Sequence, residues 1–139
     1  MATQAQVMAQ PARDQLLRRA LMVNTLISLV CGAGLLLDAS SIVALLGAGS
    51  PLSLEALGVV TLAFGAAVWA IARRNPINAS HARIILAIEI ACVLASLLVI
   101  ALNPFGLSST GRWVIAGTAD LMAVIALCEY LGLRRLARS

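Results

Sequence analysis

The chain has 139 residues, 61% of them hydrophobic and 12% charged, with a mean hydropathy of +0.98, well above the roughly half-apolar composition of soluble domains. That balance excludes a soluble globular domain, and the length suits one domain rather than a membrane anchor plus a separate catalytic unit. The net charge of +4 comes from ten basic residues, all arginine, grouped at the ends of apolar runs, a distribution that speaks for membrane orientation and against nucleic-acid binding.

Residues 1–12 are polar and rich in Ala and Gln, with Pro11 near their end, and are expected to form a disordered cytoplasmic tail. A single membrane domain over 13–139 should follow. Its first apolar run, 17–37, is too long for a signal peptide and lacks an Ala-x-Ala cleavage site, so it is expected to remain as a span. Residues 38–51 come next. There Asp38, Ser40 and Ser41 offer N-caps to the apolar stretch 42–46, and Gly47 and Gly49 terminate it, which predicts a short helix on the outer surface.

The second run, 52–72, is rich in small residues, with Thr61 and Gly65, Ala63 and Ala67, and Ala66 and Ala70 each four apart. Ser28 and Gly32 repeat that spacing in the first run, so these helices are expected to pack closely within the bundle, with self-association as the alternative. Asn75-Pro76 and Asn103-Pro104 stop the second and third runs. The third run spans 84–102 and the fourth 113–133.

Each run has the ~20 residues that a helix needs to cross ~30 Å of hydrocarbon. Lipid offers no partner to backbone N–H and C=O groups, and the period-two alternation of barrel strands is missing, so the fold class is all-α: a polytopic bundle of four transmembrane helices. Arg13, Arg18, Arg19, Arg73, Arg74, Arg83, Arg134, Arg135 and Arg138 fall at one end of the spans and only Arg112 at the other. Positive residues stay on the cytoplasmic side, so both termini are expected to be cytoplasmic. Trp69 and Trp113 lie near opposite boundaries, as interfacial anchors do. A shift of 65 residues places Asn24 on Glu89 and Asp38 on Asn103, as a parallel repeat would, but the match does not extend into the second and fourth runs.

Ionisable groups inside a span cost enough, ~2.5 to 3.5 kcal/mol for a central Asp on insertion scales, to be functional candidates by default. The candidate intramembrane polar site consists of Glu89, Asp120, Asn24, Glu129 and Ser96. Counting from the flanking arginines at 1.5 Å per residue, Asn24, Glu89 and Glu129 reach one level, roughly 7 to 10 Å in from the cytoplasmic boundary. Three polar groups at one depth on three helices are expected to line a shared pocket opening toward the cytoplasm. Glu89, Cys92, Ser96 and Asn103 recur at helical spacing, as do Asn24, Ser28 and Cys31, so both stripes should face inward and meet.

The alternatives are structural. Glu129 is close enough to the arginines to snorkel or to pair with one of them. Asp120 is nine residues from Glu129, half a helical rotation, so the two cannot share a face. With Glu129 toward the interface, Asp120 would face the interior. Glu55 is expected near the outer surface, close to Arg112. The cysteines, Cys31, Cys92 and Cys128, are scattered, and the single histidine, His81, reads as a capping residue at the start of the third run. No nucleophile, base and orienting group assemble from these residues, and no cofactor or metal is indicated, so an enzyme is not expected.

An Arg-led first span, the stretch 44–47 (Ala-Leu-Leu-Gly), a second span closing on Ala-Arg-Arg-Asn-Pro at 72–76, and a last span running from Gly-Arg-Trp at 111–113 to Leu-Gly-Leu-Arg-Arg at 131–135 together resemble uncharacterised small bacterial integral membrane proteins with four spans. No activity comes with that resemblance. Small multidrug exporters also have four spans and one membrane Glu, but theirs is in the first span, where this chain has Asn24. The expectation is therefore a non-catalytic binding or accessory component of a bacterial inner membrane, in contact with lipid and with a second copy or another membrane protein. The rival is a proton- or cation-coupled carrier of a small solute.

Overall fold

In a computed structural model the backbone is described for residues 4–138 and the side chains for residues 14–138. Every element among them is a helix: α1 (Gln4–Leu37), α2 (Ala39–Leu46), α3 (Pro51–Ala72), α4 (Ala79–Leu102) and α5 (Ser109–Ala137). Four of these, α1 from Asp14 onward, α3, α4 and α5, are long and apolar enough to cross a membrane. Helix α1 begins at Gln4, within the stretch expected as a disordered tail, and residues 1–3 lie outside those described. Elsewhere α4 begins, and α5 begins and ends, about a turn beyond the apolar run, whereas α3 matches its run to within one residue.

The helix caps are legible residue by residue. Ser50 and Ser53 form a reciprocal capping box at the start of α3, with Pro51 at its first position, where a missing N–H costs nothing. Asn78 caps α4: its Oδ1 accepts from the backbone N–H of Ser80 at 3.0 Å and of His81 at 3.4 Å. The capping role expected of His81 thus belongs to Asn78, and the His81 side chain is exposed. Asn103 closes α4 in the left-handed region at φ 45°, and its Oδ1 accepts from Leu107 N–H at 2.7 Å. At the Arg-rich end Arg18 of α1 donates to the carbonyls of Ala72 and, at 3.0 Å, of Arg74. These are the orphan acceptors that any helix C-terminus leaves behind.

The expected short helix α2 is present, and Gly47 ends it at φ 73°. Asp38 stands at its N-cap without making a side-chain cap bond. Tertiary contacts hold α2 instead. Ser108 donates from its backbone N to Leu46 O at 2.8 Å and from Oγ to Leu45 O at 2.9 Å, while the same Oγ accepts from Gly111 N at 2.9 Å. Ser108 therefore caps α5 and fastens α2 to it. Ser108→Ala should cost about 1 kcal/mol, read as a lower unfolding midpoint in lipid micelles.

Helix α1 packs along both α3 and α5, α4 packs along α5, and α3 and α4 touch least despite their short connection. The α1–α3 crossing is close because it is glycine against glycine: a Cβ on Gly32 would stand 3.0 Å from Gly58 O, and one on Gly58 2.9 Å from Gly32 O. A Cβ on Gly65, seven residues on, would meet Ser28 at 3.1 Å. The small residues Ser28, Gly32 and Gly65 are thus packing devices within the bundle, whereas Ala63, Ala66, Ala67 and Ala70 face outward.

The apolar core gathers at the Arg-rich end. Leu17 and Leu21 of α1, Val68 and Ala72 of α3, Ala82, Ile85 and Leu86 of α4, and Ala126 and Leu133 of α5 form it, with Ile77 of the α3–α4 connection. Large apolar side chains such as Leu26, Val30, Val60 and Leu98 point outward. Such an apolar exterior around an apolar core is understandable where the surrounding solvent is hydrocarbon.

Candidate functional site

Three helices each contribute one polar side chain to a single buried point. Asn24 of α1, Glu89 of α4 and Glu129 of α5 are 5%, 1% and 0% exposed. The Asn24 amide joins them: Nδ2 donates to Glu89 Oε1 and, at 3.0 Å, to Glu129 Oε1. On its other side Asn24 Oδ1 accepts from Ser28 Oγ at 3.3 Å. In this arrangement the amide nitrogen serves the two carboxyl groups and the amide oxygen serves the hydroxyl. Thr25, also buried, bonds its own helix through Leu21 O at 2.9 Å.

Both carboxyl groups accept from the same amide nitrogen, which makes them close neighbours. Their second oxygens, Glu89 Oε2 and Glu129 Oε2, are buried and accept no hydrogen bond. No guanidinium bonds to either group among the described residues. Two carboxylates in an apolar interior, with one neutral donor between them, would carry two uncompensated negative charges. A proton shared within the pair removes one of them in the smallest volume.

No family model, curated protein or solved structure matches the chain.

The structure brings together the three groups that depth counting placed at one level, and it corrects their surroundings. The expected pocket opening toward the cytoplasm is closed. The apolar core of Leu17, Leu21, Ile85, Leu86 and Leu133 fills the Arg-rich end, because aliphatic side chains from all four long helices converge there. Glu129 neither snorkels nor pairs with an arginine. It is the most deeply buried of the three, since Gly132, on the same face of α5, lets that face lie against α1: a Cβ there would be 2.9 Å from the Leu17 backbone.

With Glu129 inward, Asp120 is turned outward and exposed, the reverse of the expected facing and the consequence of half a rotation between them. The stripe on α4 is not an interior face either. Glu89 is buried, but Cys92 is exposed and Ser96 is half-buried and donates to its own helix at Cys92 O, 2.8 Å away. A hydroxyl with an i−4 backbone acceptor needs no tertiary partner. Of the five expected site residues, then, Asn24, Glu89 and Glu129 are joined, and Asp120 and Ser96 stand apart. On α1 the stripe is inward at Asn24 and Ser28 and exposed at Cys31.

Glu55 and Arg112 are both exposed and do not pair. Trp69 and Trp113 are 45% and 77% exposed, and the Arg73 guanidinium lies 4.3 Å from the Trp69 ring centre. An outward indole beside a cation suits a membrane boundary.

Proposed function

We propose that this chain is a small multi-pass protein of a bacterial inner membrane, with both termini in the cytoplasm, that couples binding and release of a proton at Glu89 and Glu129 to the movement of a small solute. The observation that carries this reading is the shared amide: one neutral donor serves two buried carboxyl groups whose other oxygens are unpartnered. Intramembrane carboxyl groups facing a bundle interior are the usual means of moving protons across a bilayer. Orientation rests on the nine arginines at one end of the spans against Arg112 at the other, since positive residues stay on the cytoplasmic side. The role involves no making or breaking of covalent bonds in a substrate.

The closure of the site favours a second reading, a non-catalytic accessory protein in which the pair locks three helices together. Carboxyl-stretch infrared difference spectra of the purified protein in lipid separate the two. On the carrier reading a band changes reversibly between about pH 5 and pH 9. It is lost in Glu89→Gln and in Glu129→Gln alike, because a shared proton belongs to both groups. It persists in Asp120→Asn, which faces away from the pair. The same two Gln variants should lower proton-driven uptake in vesicles by about 100-fold. A band that never moves, or that only Asp120→Asn removes, would leave the accessory reading standing and the carrier reading refuted.

A further inference from the structure

A second site lies between α4 and α5, on the surface of the bundle at the Arg-rich end. There a cleft of about 300 Å³ is lined by Arg83, Leu86, Tyr130, Leu133, Arg134 and Ala137. We propose that this cleft binds a phosphate ester, that of an anionic phospholipid whose acyl chains lie along α4 and α5.

The two guanidinium groups come from different helices and reach one depth. Arg83 immediately precedes the apolar run of α4 and Arg134 immediately follows that of α5, so both stand where hydrocarbon gives way to headgroups. Neither has a carboxylate partner among the described residues. Arg134 sits in the last turn of α5, where a cation complements the helix dipole. Arg83 stands near the beginning of α4, whose N-terminal end is itself positive, so its own helix gives it no counter-charge. An anion between the two satisfies both.

Guanidinium groups favour phosphate because their planar fork matches two of its oxygens. Tyr130, one helical turn from Arg134 and 51% exposed, lines the same cleft with a phenolic hydroxyl that can donate. Leu86 and Leu133 are 8% and 7% exposed and form an apolar floor. A free inorganic anion has no use for that floor, whereas a glycerophospholipid places its phosphate on the arginines and its first methylenes on the leucines.

The test is lipid retention by the full chain, purified from nanodiscs of phosphatidylcholine doped with phosphatidylglycerol and read by native mass spectrometry. Wild type should keep one phosphatidylglycerol, and the double variant Arg83→Gln, Arg134→Gln should keep at least about tenfold less. The pair Arg19→Gln, Arg135→Gln removes the same charge from the same end outside the cleft and should retain lipid as wild type does. Inorganic phosphate is titrated in parallel. Displacement of the lipid by phosphate at millimolar concentration, lost in the cleft variant only, supports the phosphate site but assigns it to a soluble anion. Equal retention of phosphatidylcholine, or equal loss in both arginine pairs, overturns the proposal.

Discussion

Replacing Asn24 by leucine is expected to destabilise the bundle by about 3 kcal/mol, well beyond the average for a hydrogen bond between membrane helices. Such bonds average about 0.6 kcal/mol, because the separated helices find other partners. Asn24 differs in serving two acidic groups at once. Its loss leaves Glu89 and Glu129 with no donor but each other, in a place that is 1% and 0% exposed, and each orphaned buried acceptor costs about 1 to 3 kcal/mol. Ser28 Oγ loses its acceptor in the same step.

The control is the triple variant Asn24→Leu, Glu89→Leu, Glu129→Leu. It should recover most of the loss, since replacing a whole buried polar cluster by apolar residues is often neutral or stabilising, while removing one member is not. Unfolding midpoints in mixed micelles measure both. A single-variant cost below about 1 kcal/mol would mean that the amide is an ordinary interhelical contact and that the carboxyls are satisfied elsewhere.

The second large effect is expected at Gly132. A Cβ there would stand 2.9 Å from both Cα and Cβ of Leu17 and 3.0 Å from its backbone N. Backbone cannot swing aside as a side-chain tip can, so any larger residue must push α1 from α5. Gly132→Leu should cost about 3 kcal/mol, the upper part of the usual range for overpacking. It should also disturb the carboxyl-stretch signal, because the Asn24–Glu129 bond of 3.0 Å spans the same two helices.

Gly117 on the same helix makes the comparison internal. Nothing lies within 4 Å of the position its Cβ would take, so Gly117→Leu should be neutral or gain up to about 1 kcal/mol from helix propensity. Equal effects at the two positions would contradict the packing of α5 on α1 described above.

That pair of glycines also explains how much of the site could be read from the chain. The spans, their approximate ends and the depth of Asn24, Glu89 and Glu129 follow from local rules: hydropathy over about 20 residues, caps such as Ser50, Asn78 and Ser108, and a fixed rise per residue. The separation of Asp120 from Glu129 by half a rotation is equally local. Which of the two faces inward is not. Gly132 lies three residues from Glu129 and Gly117 three residues from Asp120, so either face of α5 presents an acid beside a small residue, the pattern of a helix contact.

Sequence by itself therefore determined an all-helical protein with four spans, a strong charge asymmetry between their ends, and polar groups at a shared level on three helices. Tertiary structure alone decided that Gly132 meets Leu17, that Glu129 is consequently buried and Asp120 exposed, and that aliphatic residues close the Arg-rich end over the pair. The reason is physical. Hydrocarbon makes every span apolar all round, which erases the amphipathic stripe that tells a soluble helix which way to turn. Rotation is left to a few close backbone approaches, and these exist only once the helices have met.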